Sequence, residues 1–135
     1  MSDLVYIAAD ANLIGRKIEK YILDEELEEL SVFSRQLSVT VNRIEDSVLS
    51  MGGRVYMAAG DNVLAIISRE NVEELVISWK SMMPEKLFTF SVGIGNTPAE
   101  AYLAIKYAKV CGRFAVFYRD GGFETIADNS EEQKS

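Results

Sequence analysis

The chain has 135 residues, of which 48% are hydrophobic, and its formal net charge is −7 from 21 acidic and 14 basic residues. That size predicts a single domain with its own hydrophobic core, and the one cysteine excludes a fold held together by internal disulfides. The acidic balance argues against binding of long nucleic acids, and the absence of histidine excludes imidazole zinc sites and histidine general bases, leaving carboxylates and oxygen-preferring metals for catalysis.

The first predicted element is a buried strand over residues 4–9, which ends at Asp10. A helix follows through about Leu23, with Asn12 or Asp10 as its capping residue, and Asp24 is expected to cap a longer second helix. The apolar stripe of that second helix repeats every three or four residues and consists of Leu27, Leu30, Ser34, Leu37, Val41, Ile44 and Val48. Such a stripe favours a helix laid on a sheet over the alternative, a coiled-coil dimer seam.

Two strands, over residues 54–59 and 62–67, are joined by Gly60 and Asp61. Glycine at the first central position of a two-residue turn favours type II′ and places Asp61 at the tip of a hairpin. Residues 71–83 are predicted to be helical, because four apolar residues share one face, and Pro84 ends this helix. The four residues are Val72, Leu75, Val76 and Trp79.

Another strand is predicted over residues 87–95, where Gly93 and Gly95 indicate close backbone packing. Thr97 and Glu100 form a capping box around Pro98, so a helix begins there and continues toward Gly112. Residues 114–118 are predicted to pair with 123–126, and residues 128–135 form a polar tail that we expect to be disordered. Residues 1–127 then form one α+β domain with a mostly antiparallel sheet and its helices packed on one face, the layout of a ferredoxin-like palm.

Two acids stand out by their positions, Asp10 where the first strand ends and Asp61 on the hairpin tip. If that strand lies beside the hairpin, both carboxylates meet at one rim of the sheet, where they would repel each other without a cation. Mg²⁺ needs only one or two carboxylates besides water and substrate phosphates. The alternative is structural, because aspartate is also a common helix cap and turn residue.

Four segments make the sequence recognisable: YIAADANLIGRKIEKYI, AAGDNVLAI, FSVGIG and AYLAIKYAKVCGRFAVFY. In this order and spacing, over residues 4–119, the chain resembles the minimal CRISPR polymerases. These are small palm proteins similar to the polymerase palm of type III CRISPR effectors and, more distantly, to GGDEF-type diguanylate cyclases. The second segment stands where the cyclases carry a Gly-Gly-acid-acid hairpin, so Ala59 replaces the first glycine and Asn62 the second acid.

The resemblance implies a set of site residues. Asp10 and Asp61 would be catalytic and, with the main-chain carbonyl of Ala11, would hold Mg²⁺ or Mn²⁺. The other implied residues would bind substrate: the backbone amides of Asn12, Leu13, Ile14 and Gly15, the hairpin residues Gly60 and Asn62, and the basic side chains Lys106, Lys109 and Arg113. Six aromatic residues on predicted strands are expected to belong to the core, with one or two at the border of a base pocket; they are Tyr6, Tyr56, Phe88, Phe90, Phe117 and Tyr118.

The implied reaction converts nucleoside triphosphates, with ATP favoured, into a cyclic dinucleotide such as cyclic di-AMP or a cyclic oligonucleotide, and releases pyrophosphate. We expect a homodimer with facing sites, and a separate effector that reads the product in antiviral defence. Two alternatives stay open: a nucleotide hydrolase similar to the archaeal GTP cyclohydrolase, and a catalytically silent nucleotide-binding palm, which Asn62 supports. No apolar run approaches the roughly 18 residues of a membrane helix, so a cytoplasmic protein without membrane contact is expected.

Overall fold

The computed structural model describes residues 3–128, which form one six-stranded sheet and four α-helices. The strands are β1 (Leu4–Ala11), β2 (Arg54–Ala59), β3 (Asn62–Ser68), β4 (Phe90–Gly95), β5 (Arg113–Arg119) and β6 (Gly122–Asp128). The helices are α1 (Ile14–Leu23), α2 (Leu27–Ser50), α3 (Val72–Ser81) and α4 (Pro98–Cys111). Within these residues, no helix combines the length and the apolar character needed to cross a membrane.

The strand order in the sheet is β2-β3-β1-β4-β5-β6. Every neighbouring pair is antiparallel except β4 and β5, which run parallel because α4 connects them as a crossover. This arrangement places β1 in the middle of the sheet, between β3 and β4. The α+β class with a mostly antiparallel sheet, predicted from the order of the elements, is confirmed.

The sheet has helices on both faces, so the expected single helical layer is wrong. Alternate residues of β1, such as Val5 and Ile7, belong to the main core beneath α1, α2 and α3. Ala8 points to the opposite face, where it packs against Ala101 and Ile105 of α4. The physical reason is Gly93, at which a Cβ atom would lie 2.1 Å from the main-chain oxygen of Ala101. The missing side chain lets α4 lie directly on the second face, and the prediction of close backbone packing is confirmed.

Several local predictions are confirmed. The hydroxyl of Thr97 accepts a hydrogen bond from the backbone N–H of Glu100 at 3.1 Å, and Pro98 is the first residue of α4. In the hairpin between β2 and β3, Gly60 has φ +59 whereas Asp61 does not have positive φ, which agrees with a type II′ turn. The predicted apolar face of α3 is buried.

Other boundaries differ from the expectation. Asp24 ends α1 and does not cap α2, whose N-cap residue is Glu26. The stripe of α2 is buried only in its C-terminal half, whereas Leu27 is 63% exposed. Strand β4 begins at Phe90, because residues 85–87 form a turn and residues 88–89 are irregular. Strand β6 includes Asp128, and the remainder of the expected tail, residues 129–135, lies outside the described residues.

Candidate functional site

Asp10 and Asp61 lie at the same end of the sheet. Asp10 is the penultimate residue of β1, and its Cα pairs with Asn62 of β3 on one side and with Ser91 of β4 on the other. Asp61 precedes that Asn62 in the hairpin turn, and its main-chain oxygen accepts a hydrogen bond from the N–H of Ala11 at 3.1 Å. The antiparallel pairing of β1 with β3 therefore brings the strand-end acid next to the hairpin tip.

The ammonium group of Lys109 lies among the oxygen atoms of this strand end. Its Nζ is 3.1 Å from Oδ2 of Asp10, 2.9 Å from Oδ1 of Asn12 and 3.4 Å from the main-chain oxygen of Ala11. The pair with Asp10 is mostly shielded from solvent, since the two side chains are 32% and 29% exposed. The oxygens of Asp10 and Ala11 belong to residues expected to bind a metal ion. The Lys109 ammonium, which is a cation, therefore lies where a metal ion is expected.

The side chain of Asn12 holds this arrangement together instead of capping α1. Its Nδ2 donates to Oγ1 of Thr89 at 2.9 Å, and its Oδ1 accepts from Oγ of Ser91 at 3.0 Å as well as from Lys109. Its backbone N–H donates to the main-chain oxygen of Thr89 at 2.9 Å. The expected Asn12 cap of α1 is therefore wrong, and in this structure the backbone N–H that was expected to bind phosphate donates to Thr89.

Thr89 and Ser91 are the residues that sequence reasoning missed. Ser91 is 2% exposed and is flanked by buried apolar residues in β4. A hydroxyl in an otherwise apolar buried strand needs a hydrogen-bond partner, and this was the signal available in the sequence. The partner itself, Asn12, is 79 positions away along the chain, so no local pattern points to it.

The N-terminus of α1 has no side-chain cap. Its N-cap residue is Leu13, which has a left-handed conformation with φ 58 that is uncommon for a residue other than glycine. The first helical hydrogen bond runs from Lys17 N–H to Leu13 oxygen, so the N–H groups of Ile14 and Gly15 have no acceptor within the helix. A Cβ atom at Gly15 would meet no atom within 4 Å. Free amides and the helix dipole make this end suitable for an anion.

The hairpin residues complete this end of the sheet. Asn62 donates from Nδ2 to Oδ1 of Asp61 at 3.1 Å, so the residue that replaces a second acid orients the remaining one. Gly60 supplies the positive φ of the turn and has open space around its Cα.

The other two predicted cations are placed differently from Lys109. Lys106 is exposed and lies one turn earlier on the same side of α4. Arg113 begins β5 and forms an ion pair with Asp128, with Nη1 2.6 Å from Oδ1. The structure therefore brings Lys109 to Asp10 but gives Arg113 a partner in β6.

The donor set suits a hard metal ion that keeps other ligands. Among residues 3–128, no group of three or more histidine, cysteine, aspartate or glutamate side chains is placed to hold a metal. The oxygen ligands of the site are the carboxylates of Asp10 and Asp61 and the carbonyl of Ala11. The Lys109 ammonium contacts the oxygens of Asp10 and Ala11, in the position expected for a metal ion. Such a set fits Mg²⁺ or Mn²⁺ bound through one or two carboxylates with substrate phosphates and water.

Comparison with known proteins identifies relatives of the whole domain. Residues 6–118 match the model of the mCpol family, the minimal CRISPR polymerase domain. Comparison with curated protein sequences finds no significant match.

Solved structures share the fold at low sequence identity. A diguanylate cyclase/phosphodiesterase from Caldicellulosiruptor saccharolyticus aligns with a TM-score of 0.65 and 15% identity over 91% of this chain and 80% of its own. The GGEEF domain of a diguanylate cyclase from Vibrio cholerae gives 0.62 and 14%, over 87% and 83%. A Csm1–Csm4 cassette in complex with cA4 gives 0.65 and 16%, over 96% of this chain but 23% of that one. These alignments show that the chain shares the palm fold of these proteins.

Proposed function

Because the chain belongs to the minimal CRISPR polymerase family, we propose that it is a metal-dependent nucleotidyltransferase that converts nucleoside triphosphates into a cyclic di- or oligonucleotide. One observation carries this proposal: the Lys109 ammonium lies between the carboxylate of Asp10 and the carbonyl of Ala11. These oxygens are gathered beside the uncapped end of α1, as a site for a metal and a polyphosphate requires.

The residues divide the work between metal and phosphate. Asp10, Asp61 and the Ala11 carbonyl would hold the metal ions, which would lower the pKa of the attacking ribose hydroxyl and neutralise charge on the leaving pyrophosphate. The amides of Ile14 and Gly15 bind the terminal phosphates. The ribose hydroxyl oxygen of one nucleotide forms a bond to the α-phosphorus of a second nucleotide. The bond from that phosphorus to the oxygen bridging its α- and β-phosphates breaks, pyrophosphate leaves, and the hydroxyl proton passes to solvent. A second transfer of the same kind closes the ring.

ATP is the proposed substrate, and two facing copies of the chain are the proposed active form. The adenine preference rests on cassettes of the same fold that were solved with pppApA and with cA4. Each transfer needs an acceptor nucleotide as well as a bound triphosphate, and two palms related by two-fold symmetry supply both. The product would act on a separate effector protein in antiviral signalling.

The test is product analysis on matched hairpin variants. The protein is incubated with each nucleoside triphosphate and Mg²⁺ or Mn²⁺, pyrophosphate is measured, and products are identified by mass spectrometry. Asp61→Asn and Asp10→Asn should abolish pyrophosphate release while the protein stays folded. The melting temperature should be unchanged in Asp61→Asn, because this carboxylate does not belong to the core, and modestly lower in Asp10→Asn, which loses the ion pair with Lys109. Asp120→Asn is the control, since Asp120 is also a hairpin-tip acid but lies in the turn between β5 and β6.

The outcomes separate the proposal from its alternatives. A modified mononucleotide without linked products would indicate a hydrolase of the cyclohydrolase kind. Binding of triphosphate without pyrophosphate release would indicate a silent palm, in which Asn62 marks the loss of activity. Full activity of Asp61→Asn would remove this residue from the site and overturn the mechanism.

A further inference from the structure

The face of the sheet that carries α4 is only partly covered. Helix α4 packs against β1, β4 and β5, and the same face of β2 and β3 is left open. Large side chains are exposed there: Tyr56 is 49% exposed and Met57 is 40% exposed. Tyr6 and Leu64, which belong to the same face, are half-buried against the small cluster around Ala8.

A β-bulge directs Tyr56 onto this open face. Val55 pairs with Ala65 and Met57 pairs with Leu64, so Tyr56 is an extra residue in β2 without a partner in β3. Its ring centroid lies 6.2 Å from that of Tyr6, which shows that Tyr56 shares the face of Tyr6. Bulges of this kind are common beside active sites, where they re-aim a side chain.

A cation accompanies the two rings. The guanidinium carbon of Arg54 lies 4.8 Å from the ring centroid of Tyr56. Within residues 3–128 Arg54 forms no ion pair, although the whole chain carries a net charge of −7. An exposed guanidinium over an exposed tyrosine suits a partner that is both aromatic and anionic.

The open face is continuous with the acidic site. Asp10 opposite Asn62, Ala8 opposite Leu64, and Tyr6 opposite Ile66 are successive same-face pairs of β1 and β3. At about 3.3 Å per residue, Tyr6 is about 13 Å from Asp10 along the strand. Helix α4 covers the β1 side of this strip at Ala8, with Lys109 at the level of Asp10, and leaves Leu64 and Ile66 on the β3 side half-buried. A nucleotide whose phosphates are held beside Asp10 can therefore direct its sugar and base along the β3 side, toward Tyr56.

We propose that Tyr56, together with Tyr6 and Arg54, forms a stacking platform for the purine base of the nucleotide held at Asp10 and Asp61. This inference rests on the proposed function and specifies how the site holds the base. Aromatic rings stack on any nucleobase, and a purine offers the larger face. Stacking alone does not distinguish adenine from guanine, so the platform favours purines over pyrimidines only through their larger contact area.

The test compares a ligand that has a base with one that lacks it. The probes are α,β-methylene-ATP, which cannot lose pyrophosphate, and inorganic tripolyphosphate. Each probe is titrated into the protein in the presence of Mg²⁺, and its affinity is measured by calorimetry. Tyr56→Ala should bind the nucleotide about 10-fold more weakly and bind tripolyphosphate as the wild type does. Tyr56→Phe keeps the ring and should remain within about 2-fold of the wild type for both probes.

Tyr107→Ala is the matched control, because Tyr107 is also an exposed tyrosine but stacks on Phe123 at a centroid distance of 4.1 Å, beside β6. It should bind both probes normally. The inference is overturned if Tyr56→Ala binds both probes as the wild type does or weakens both equally. It is also overturned if this variant changes only the sedimentation coefficient, since the open face would then be a contact between two copies of the chain.

The same titrations separate this inference from the proposed function. A wild-type protein that binds neither probe would refute the nucleotide site and the platform together. Selective loss of nucleotide affinity in Tyr56→Ala would support the platform. If the wild-type protein at the same time forms no linked product from ATP, the cyclase activity is refuted. Normal cyclic product from Tyr56→Ala, with unchanged affinity for the nucleotide, would refute the platform alone.

Discussion

Replacing Lys109 with alanine should affect metal binding and nucleotide binding in opposite directions. In the structure the Lys109 ammonium is 3.1 Å from the carboxylate of Asp10 and 3.4 Å from the carbonyl of Ala11. A metal that arrives without nucleotide must displace this ammonium. A metal that arrives with a triphosphate brings phosphate oxygens to which the same ammonium can turn.

The magnitude follows from the geometry of the pair. Coulomb's law at 3.1 Å gives about 5 kcal/mol at an effective dielectric constant of about 20. Both side chains are about 30% exposed and also lose hydration when they pair, so a net value of about 1–2 kcal/mol is reasonable. That corresponds to a factor of about 5–30 in an equilibrium constant.

The first assay measures the affinity for Mn²⁺ alone, without nucleotide, by electron paramagnetic resonance. The second measures the affinity for the complex of α,β-methylene-ATP with Mg²⁺. Lys109→Ala should bind Mn²⁺ alone about 5–30-fold more tightly and the nucleotide complex more weakly by a similar factor. Lys106→Ala is the control for the first titration, because Lys106 lies on the same side of α4 without contacting Asp10. Unchanged or weaker Mn²⁺ binding by Lys109→Ala would refute this reasoning.

Three further predictions concern packing, phosphate binding and assembly. Gly93→Ala should destabilise the fold by about 3 kcal/mol in urea unfolding, because its Cβ would lie 2.1 Å from a main-chain oxygen of α4; Gly122→Ala, with no atom within 4 Å, is the control. Arg113→Ala should weaken triphosphate binding whereas Asp128→Ala should not; equal losses of stability with normal binding in both would show that their ion pair is structural. Dimers of wild-type and Asp61→Asn subunits should accumulate linear intermediates, and a rate strictly proportional to enzyme concentration at every dilution would contradict facing sites.

Local chemistry made much of the fold predictable. The capping box of Thr97 and Glu100 involves residues within one helical turn, and the start of α4 was placed correctly. The hairpin turn at Gly60 and Asp61 depends on the conformational freedom of one glycine, and this too was evident from the sequence. With the first strand predicted to end at Asp10, these elements already implied that the two acids lie at one end of the sheet.

The remaining features depend on contacts between distant residues. The side chain of Asn12 looked like a helix cap because its sequence neighbours allow that role, but Ser91 and Lys109, 79 and 97 positions away, engage it instead. The position of α4 on the second face depends on the absence of side chains at Gly93 and Gly95, and a glycine in a strand does not reveal which helix will lie on it. Periodicity indicates which residues of an element are buried, but it does not indicate the element that covers them.

The position of Lys109 also bears on the replacement of a hairpin acid by Asn62. Two convergent carboxylates already outnumber one ammonium, and a third acid at residue 62, which pairs with Asp10, would increase this excess of negative charge. With asparagine there, Lys109 compensates Asp10, and the amide of Asn62 keeps Asp61 oriented. The ammonium then disfavours metal alone and favours metal with nucleotide, so the two ligands raise each other's affinity by the same factor. That coupling should be largely lost in Lys109→Ala, whose Mn²⁺ affinity should respond little to the nucleotide beyond the ligands that the phosphates themselves supply.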